Sequence, residues 1–519
     1  MSEPVAPSNA VTATAPEAAP APPATTATVP PPAATPARNR WIALVALCAG
    51  FLMIVLDTTI VSVAQASIQQ DLGFSQSGLA WLVNSYLIAF GGLLLLAGRI
   101  GDLLGRTRVF LGGLWLFLLA SLLCGLSQTQ ETLIAARFLQ GVGGALTSAV
   151  ILGMIVALFP GEHERSRAIA VYAFVGSAGA SLGLVAGGLL VEALSWHWIF
   201  FVNLPIGVAT ALVAARVLER DEPLGLRAGA DLPGALLVVA ALMVGVYAIV
   251  SAADHGFGGW RTALLGPLAL ALLALFVVRE SRAAHPLMPL RLLRVPDLAA
   301  ANLVQALAIA GMFGMQFMLA LYLQLVLGLT PVQVGLAIVP IALTIGVTSL
   351  GVSARLMARV GPKATALPGA LLIVAGLLWL QRAPADGAYW LDVFPATIPM
   401  GIGAGLFMPA ISTLAMASAP PQDAGLASGL ANTTQQIGGA FGLAVLATAS
   451  ASRGDALRDG GASAAEALAG GIGLSFAISA GLALTAAAVG LALLSGRPSL
   501  RRRAAARRRA ATERSSGFR

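Results

Sequence analysis

Charge is what this sequence most conspicuously lacks. Of its 519 residues only 10% are Asp, Glu, Lys or Arg, while 57% are hydrophobic and the mean hydropathy is +0.85. That leaves too little polar surface to cover a soluble globule of this size. Cysteine is nearly absent too. Cys48 and Cys124 both fall in apolar runs, which rules against a disulfide framework and leaves small buried thiols as the default. The four histidines, His163, His197, His255 and His285, lie outside the interior of any apolar run. No Cys/His spacing for zinc and no Walker loop occurs, so neither a metal site nor direct ATP drive has residues to carry it. Gly179-Ala180-Ser181-Leu182-Gly183 matches a nucleophile-elbow pattern. That elbow needs a strand-to-helix turn with histidine and an acid in reach, whereas this copy sits inside an apolar helical run. Catalytic residues are therefore not expected.

What the sequence has instead is length of apolar run. After Arg40, stretches of about 20 apolar residues recur along nearly the whole chain, each able to cross about 30 Å of hydrocarbon as a helix. We count fourteen, arranged as six, two and six. The formal charge of +8 would suggest nucleic acid in a soluble protein, so its placement matters more than its sum. With a cytoplasmic N-terminus, all but five of the 31 Lys and Arg residues fall on the cytoplasmic side. The exceptions are Arg261, Arg382, Arg453 and Arg458 outside, and Arg137 within a span. That is the positive-inside bias of a multi-pass membrane protein with both termini in the cytoplasm. Trp196, Trp198, Trp260 and Trp390 fall near outer boundaries, where amphipathic rings anchor.

This division predicts five regions: an Ala/Pro/Thr-rich disordered cytoplasmic tail over 1–40, a six-helix bundle over 41–217, a linker with two extra spans over 218–280, a second six-helix bundle over 281–494, and an Arg-rich cytoplasmic tail over 495–519. The tail arginines, Arg501 to Arg503 and Arg507 to Arg509, suit anionic lipid headgroups, and a nucleic-acid partner is not expected. The connection after the second span of each bundle has a weak echo. Ala358-Arg359-Val360-Gly361-Pro362-Lys363 echoes Asp102-Leu103-Leu104-Gly105-Arg106, with the acid missing from the second copy, as repeated halves around a midplane site would.

Within the spans, Asp57 and Arg137 are the deepest ionisable residues, each costing about 2.5 to 3.5 kcal/mol to insert. A carboxyl in low dielectric takes up a proton more readily, and a nearby cation can reverse that preference. The pair fits a proton carrier with its coupling cation, the alternative being a static buried ion pair. Thr58, Ser62, Gln65 and Gln69 share one face of the first helix, suited to a watery or substrate-lined wall or to interhelical hydrogen bonds. Asn84, Tyr86, Asn432 and Gln436 are further polar candidates for such a wall. Met315 and Gln316 sit in a Met- and Phe-rich stretch that would adapt to varied greasy ligands or simply pack. Gly179, Gly183 and Gly187, with Gly188, make a smooth helical strip for close helix approach. Gly98, Asp102, Gly105 and Arg106 form a charged hairpin between the second and third spans.

Several of these segments resemble those of a known family. Gly98-x-x-x-Asp102-x-x-Gly105-Arg106 is similar to the loop signature of the major facilitator superfamily. Leu56-Asp57-Thr58-Thr59-Ile60-Val61, Arg137-Phe138-Leu139-Gln140-Gly141, Gly183 to Gly188, Trp196 to Gly207 and Asn432 to Gly439 resemble the motifs of its 14-span drug/proton antiporters. Leu184 stands where that family's fifth helix usually has proline, and Ser62, Gln65 and Ala66 replace its Asn, Leu and Pro. The resemblance implies an all-α polytopic membrane protein of the major facilitator fold, with two six-helix bundles and two extra central helices. It implies a bacterial cytoplasmic-membrane antiporter exporting hydrophobic drugs or antibiotics by alternating access. The proton gradient would supply the energy without a cofactor, and the partners would be protons, a small hydrophobic substrate and lipid, the protein being a monomer. Asp57 and Arg137 would couple protons; Gly98, Asp102, Gly105 and Arg106 would form a cytoplasmic gate; Gly179, Gly183, Gly187 and Gly188 would seal the fifth helix. A metabolite transporter of the same fold, or a membrane sensor working through its arginine tail, are the other readings.

Overall fold

A backbone in hydrocarbon must satisfy its own hydrogen bonds, and apolar runs of this length can do so only as helices. The computed structural model describes residues 37–493 except 76–77, 220–222, 224, 226–228, 256–259, 284–285, 289 and 419–423; of the tails expected from the sequence, 1–36 and 495–519 lie outside the described residues, whereas 37–40, expected in the disordered tail, are helical. In chain order the helices are α1 (Ala37–Leu72), α2 (Ala80–Leu104), α3 (Arg106–Gly125), α4 (Gln130–Leu158), α5 (Glu162–Ala193), the single turn α6 (Trp198–Phe201), α7 (Asn203–Val217), α8 (Leu232–His255) and α9 (Trp260–Arg282). Then come α10 (Pro296–Leu321), α11 (Pro331–Val347), α12 (Ala354–Val360), α13 (Pro362–Leu380), α14 (Phe394–Ser418), α15 (Ala424–Asp459) and α16 (Ala464–Leu493). Wider π-turns extend α10 over Tyr322–Val326, join α11 to α12 over Thr348–Ser353, and open α14 over Tyr389–Val393. Twelve helical stretches among the described residues are long and apolar enough to cross a membrane. The other two expected spans coincide with α5 and α15, of 32 and 36 residues.

The elements start and stop where local chemistry dictates. Thr129 and Thr330 cap α4 and α11, each accepting a backbone N–H from the third residue on while that residue's side chain returns the bond. The charged hairpin expected over 98–108 is far tighter than the sequence suggests. Gly98 and Asp102 belong to α2, and Gly105 alone, at φ 97°, separates α2 from α3. Gly361, at φ 87°, makes the same one-residue joint between α12 and α13. A left-handed φ of this kind favours glycine, which accounts for the sequence echo between the two copies. α5 runs unbroken through Leu184, whose N–H a proline could not supply.

α8 packs on α2 and α15, with Thr448 of α15 donating to the Ile249 carbonyl at 3.3 Å. α9 packs chiefly on α8 and turns Leu264, Leu268, Leu270 and Leu273 outward, as a helix wetted by lipid would. The first and last six-helix sets meet along three seams. In the α2–α15 seam Gln436 lies against Gly91 and Gly439 against Leu87. In the α5–α11 seam a β-carbon on Gly188 would come 2.6 Å from the Pro331 carbonyl oxygen and 2.7 Å from Val332 Cα, and Gly335 lies against the Leu184 carbonyl. In the third seam Gln324, on the π-turn of α10, donates to the Val63 carbonyl at 2.8 Å and accepts from the Ala66 N–H at 3.2 Å. The second and third seams lie toward the α1–α2 end of the bundle, where Glu192 also accepts from the Val332 N–H at 3.3 Å. That end is closed.

Gly188→Leu places a side chain where only a hydrogen fits, so it should hold α5 and α11 apart. Efflux is expected to fall at least tenfold at normal membrane abundance. Thiol labelling of a cysteine placed at Ser62 is expected to rise; unchanged labelling and efflux would remove the seam from the transport cycle.

Candidate functional site

The deepest polar cluster is built from five helices. Asp57 of α1 and Arg137 of α4 are each 1% exposed, and Arg137 Nη1 donates to Asp57 Oδ2 at 2.6 Å. Gln140, one turn along α4, accepts from the same Nη1 at 2.6 Å and donates its Nε2 to Asp57 Oδ1 at 2.7 Å. Asn203, the first residue of α7, donates to that oxygen at 3.1 Å. Ser121 of α3 accepts from Gln140 at 2.8 Å and from Asn203 at 3.4 Å, while Cys124 Sγ lies 3.7 Å from Gln140 Oε1. Arg137 Nε is held by the Leu82 carbonyl of α2 at 3.0 Å. The guanidinium carbon stands 4.5 Å from the centre of the Tyr86 ring and 5.9 Å from that of Phe200.

This is how an ion pair survives deep in a bundle. The Asp57 carboxylate accepts from three donors, and the guanidinium lies among three acceptors and two rings, so desolvation is offset by charge-assisted hydrogen bonds and cation–π contact. Two acceptors nevertheless stay vacant: Asn203 Oδ1 and the Tyr86 hydroxyl are buried without a hydrogen-bond partner.

Sequence reasoning brought Asp57 and Arg137 forward and missed Gln140, Asn203 and Ser121. The signal for the first was available, since Gln140 follows Arg137 by three residues and shares its helix face. Asn203 was visible as an amide in an otherwise apolar run, but nothing in the sequence shows that α7 brings it back to α1.

The other expected site residues separate into distinct places. Thr58 spends its hydroxyl on its own helix, donating to the Val55 carbonyl at 2.8 Å. Ser62 is half-buried, and Gln65 is buried with its Oε1 unpartnered. Asn84 is completely buried, and neither its oxygen nor its nitrogen has a hydrogen-bond partner. Met315 is buried, Gln316 and Gln436 are half-buried, and Asn432 is exposed. The glycine strip divides: Gly179, Gly183 and Gly187 lie against Leu52, Thr59 and Ile60 with Val63 of α1, whereas Gly188 faces α11. Asp102 pairs with Arg106 across the one-residue turn at 3.0 Å, and the Arg106 guanidinium lies close to Gly153 of α4. Gly98 lies in open space, since a β-carbon there would meet nothing. Among the described residues no group of three His, Cys, Asp or Glu side chains could hold a metal ion. His197 stacks on Trp196 at 3.7 Å; burial pushes its pKa below the usual imidazole range, against the pull of Asp71.

Comparison with known proteins agrees with this architecture. Residues 46–443 match the family model described as Major Facilitator Superfamily. The chain is 41% identical over 415 residues to the Cephamycin export protein CmcT of Amycolatopsis lactamdurans, covering 79% of this chain and 85% of that protein. It is 39% identical over 470 residues to the Puromycin resistance protein pur8 of Streptomyces alboniger, covering 89% and 93%. Among solved structures, a bacterial homolog to the human lysosomal transporter Spinster, in an inward-facing and unoccupied conformation, superposes with a TM-score of 0.65 at 16% identity. It covers 89% of this chain and 98% of that one, a likeness of fold.

The cluster makes a quantitative demand. Arg137→Met leaves a buried carboxylate facing only amide donors and should destabilise the protein by about 3 to 5 kcal/mol. Adding Asp57→Asn removes the orphan charge and should recover part of that loss. Unfolding in detergent followed by tryptophan fluorescence reads both; a double variant no more stable than Arg137→Met would show that the charges are not coupled.

Proposed function

The chain belongs to the Major Facilitator Superfamily, and on that premise we propose that it is a drug/proton antiporter, exporting a hydrophobic antibiotic or drug across a bacterial cytoplasmic membrane by alternating access. The observation that carries the reading is the Asp57–Arg137–Gln140–Asn203 network: one titratable acid, fully buried and held by reversible bonds from two other helices. The export and resistance proteins to which it is similar support the direction and the class of cargo.

In this reading Asp57 is the proton carrier. As a carboxylate it holds Arg137, Gln140 and Asn203 together. A proton arriving at Oδ1 or Oδ2 cancels its charge, weakens the bond to Arg137 and turns the Asp57 O–H toward the vacant Asn203 Oδ1. Arg137 then relies on Leu82, Gln140 and the Tyr86 ring, and α1 gains freedom to move against α4 and α7. Because α1 also carries the Val63 and Ala66 groups gripped by Gln324, the same helix joins proton binding to the closed α1–α2 end. Asp102 and Arg106 act at the opposite, cytoplasmic end, where their pair braces the turn between α2 and α3 against α4. The buried amides of Asn84 and Gln65 offer polar contacts to a cargo that is otherwise held by apolar side chains. The protein works as a monomer without a cofactor and makes no covalent bond to its cargo.

One acid suffices energetically. One proton moving through 100 mV provides about 2.3 kcal/mol. At about 1.4 kcal/mol per tenfold, that sustains roughly a fiftyfold concentration ratio. The scarcity of other acids inside the spans favours neutral or singly charged cargo.

Energised inverted vesicles with a pH-sensitive dye test the reading. Adding a panel of hydrophobic cations and antibiotics should release protons from wild-type vesicles and not from Asp57→Asn vesicles of equal protein content. Release that persists in Asp57→Asn would place coupling elsewhere, and silence of the wild type to every compound would favour a metabolite as cargo.

A further inference from the structure

We propose that Asp231 and Glu280 form a second proton-binding site, at the joint between the α8–α9 hairpin and α2. The two acids come from opposite ends of the hairpin. Asp231 immediately precedes α8 and Glu280 sits in the last turn of α9, yet each residue is only 3% exposed. Their environments are unequal. Asp231 is fully engaged: its Oδ1 accepts from the Gly234 N–H at 3.1 Å and from Arg279 Nη2 at 3.0 Å, and Arg279 Nε reaches both oxygens, at 3.1 and 3.3 Å. Glu280 accepts the Met288 N–H on Oε1 at 2.7 Å, and its Oε2 is buried with no hydrogen-bond partner.

Both carboxyls border one notch. The place a side chain on Gly234 would begin is 2.6 Å from Asp231 Oδ2 and 3.3 Å from Glu280 Oε2, so Gly234 is small where the two oxygens converge. Arg279 offers the pair one positive charge and spends it on Asp231. A second buried negative charge with an empty oxygen would be uncompensated, and such a group takes up a proton instead. Glu280 therefore binds one proton on Oε2, with the O–H directed into the notch toward Asp231. Among the described residues the charged groups facing it are Asp231 and Arg279. From α2, Arg99 donates its Nε to the Gly229 carbonyl at 3.1 Å, just ahead of Asp231.

The location gives the proton something to act on. Leu96 and Ile100 of α2 pack with Ala230, Ala235 and Leu287, so the segments holding the two acids rest directly on the helix that ends in Asp102 and Gly105. Loss of the proton leaves two like charges in one notch, which should push α9 and the 287–288 segment away from α8 and loosen the footing of α2. The site is thus a proton-dependent clasp on the extra hairpin, separate from Asp57.

Infrared difference spectra of the purified full-length protein in lipid nanodiscs, recorded between acid and alkaline pH, test this without any transport assay. Wild type should show a protonated-carboxyl band that is lost at alkaline pH. Glu280→Gln should lack that band while keeping the protonated shape, and Asp57→Asn should retain it. Asp231→Asn should shift its loss to lower pH, because the neighbouring negative charge that favours the proton is gone. A spectrum of Glu280→Gln identical to wild type would overturn the proposal. So would loss of the band on adding sodium or potassium at constant pH, which would mean that the notch takes a metal cation. If the band behaves as expected while vesicles show no coupled proton flux, the clasp stands and the antiport reading falls.

Discussion

An ion pair enclosed by helices is the constraint from which the rest of this architecture follows. Asp57 and Arg137 can lie buried together only because α2, α4 and α7 each contribute a group that meets one of them, while Ser121 of α3 holds two of those groups in place. A purely apolar bundle of the same size would have many nearly equal packings, since lipid and neighbouring helices are equally greasy. The network selects one.

The second constraint is proximity of backbones. Along the α5–α11 seam a glycine on each helix meets main-chain atoms of the other, which gives a smooth joint without interlocking side chains. Such a joint can part and close again at little cost, because few rotamers are frozen by it. The α1–α10 seam is of another kind, a side-chain amide on two main-chain groups. Dispersion contacts along one seam and directed hydrogen bonds at the other give the closed end both tolerance and a defined register.

Much of this was legible in the sequence, and the reasons are physical. Apolar length fixes helices, the deep charges mark the site, and a glycine at a one-residue turn is demanded by its positive φ at Gly105 and Gly361. What could not be read is any relation that depends on which helix lies beside which. Asn203 follows Asp57 by 146 residues in the chain and touches it, and no periodicity encodes that. The hairpin at 98–108 looked like a loop because charge interrupts the apolar run, yet helix continues through Asp102, whose pair with Arg106 keeps both charges at the helix ends. Asp231 and Glu280 escaped notice because each stands at a span boundary, where an acid is ordinary; only the fold brings them together.

Gln324 grips α1 by its main chain, and this bears on sequence variation more than on mechanism. The N–H it accepts belongs to Ala66, at the position where the resemblance noted in the sequence would place proline. A proline there has no hydrogen to give, so an amide opposite it would lose one of its two bonds. Positions 66 and 324 are thus chemically interdependent although 258 residues apart. Chains that restore the proline should be free to abandon the glutamine, and the two should change together through evolution even though the backbone of one is all that its partner reads.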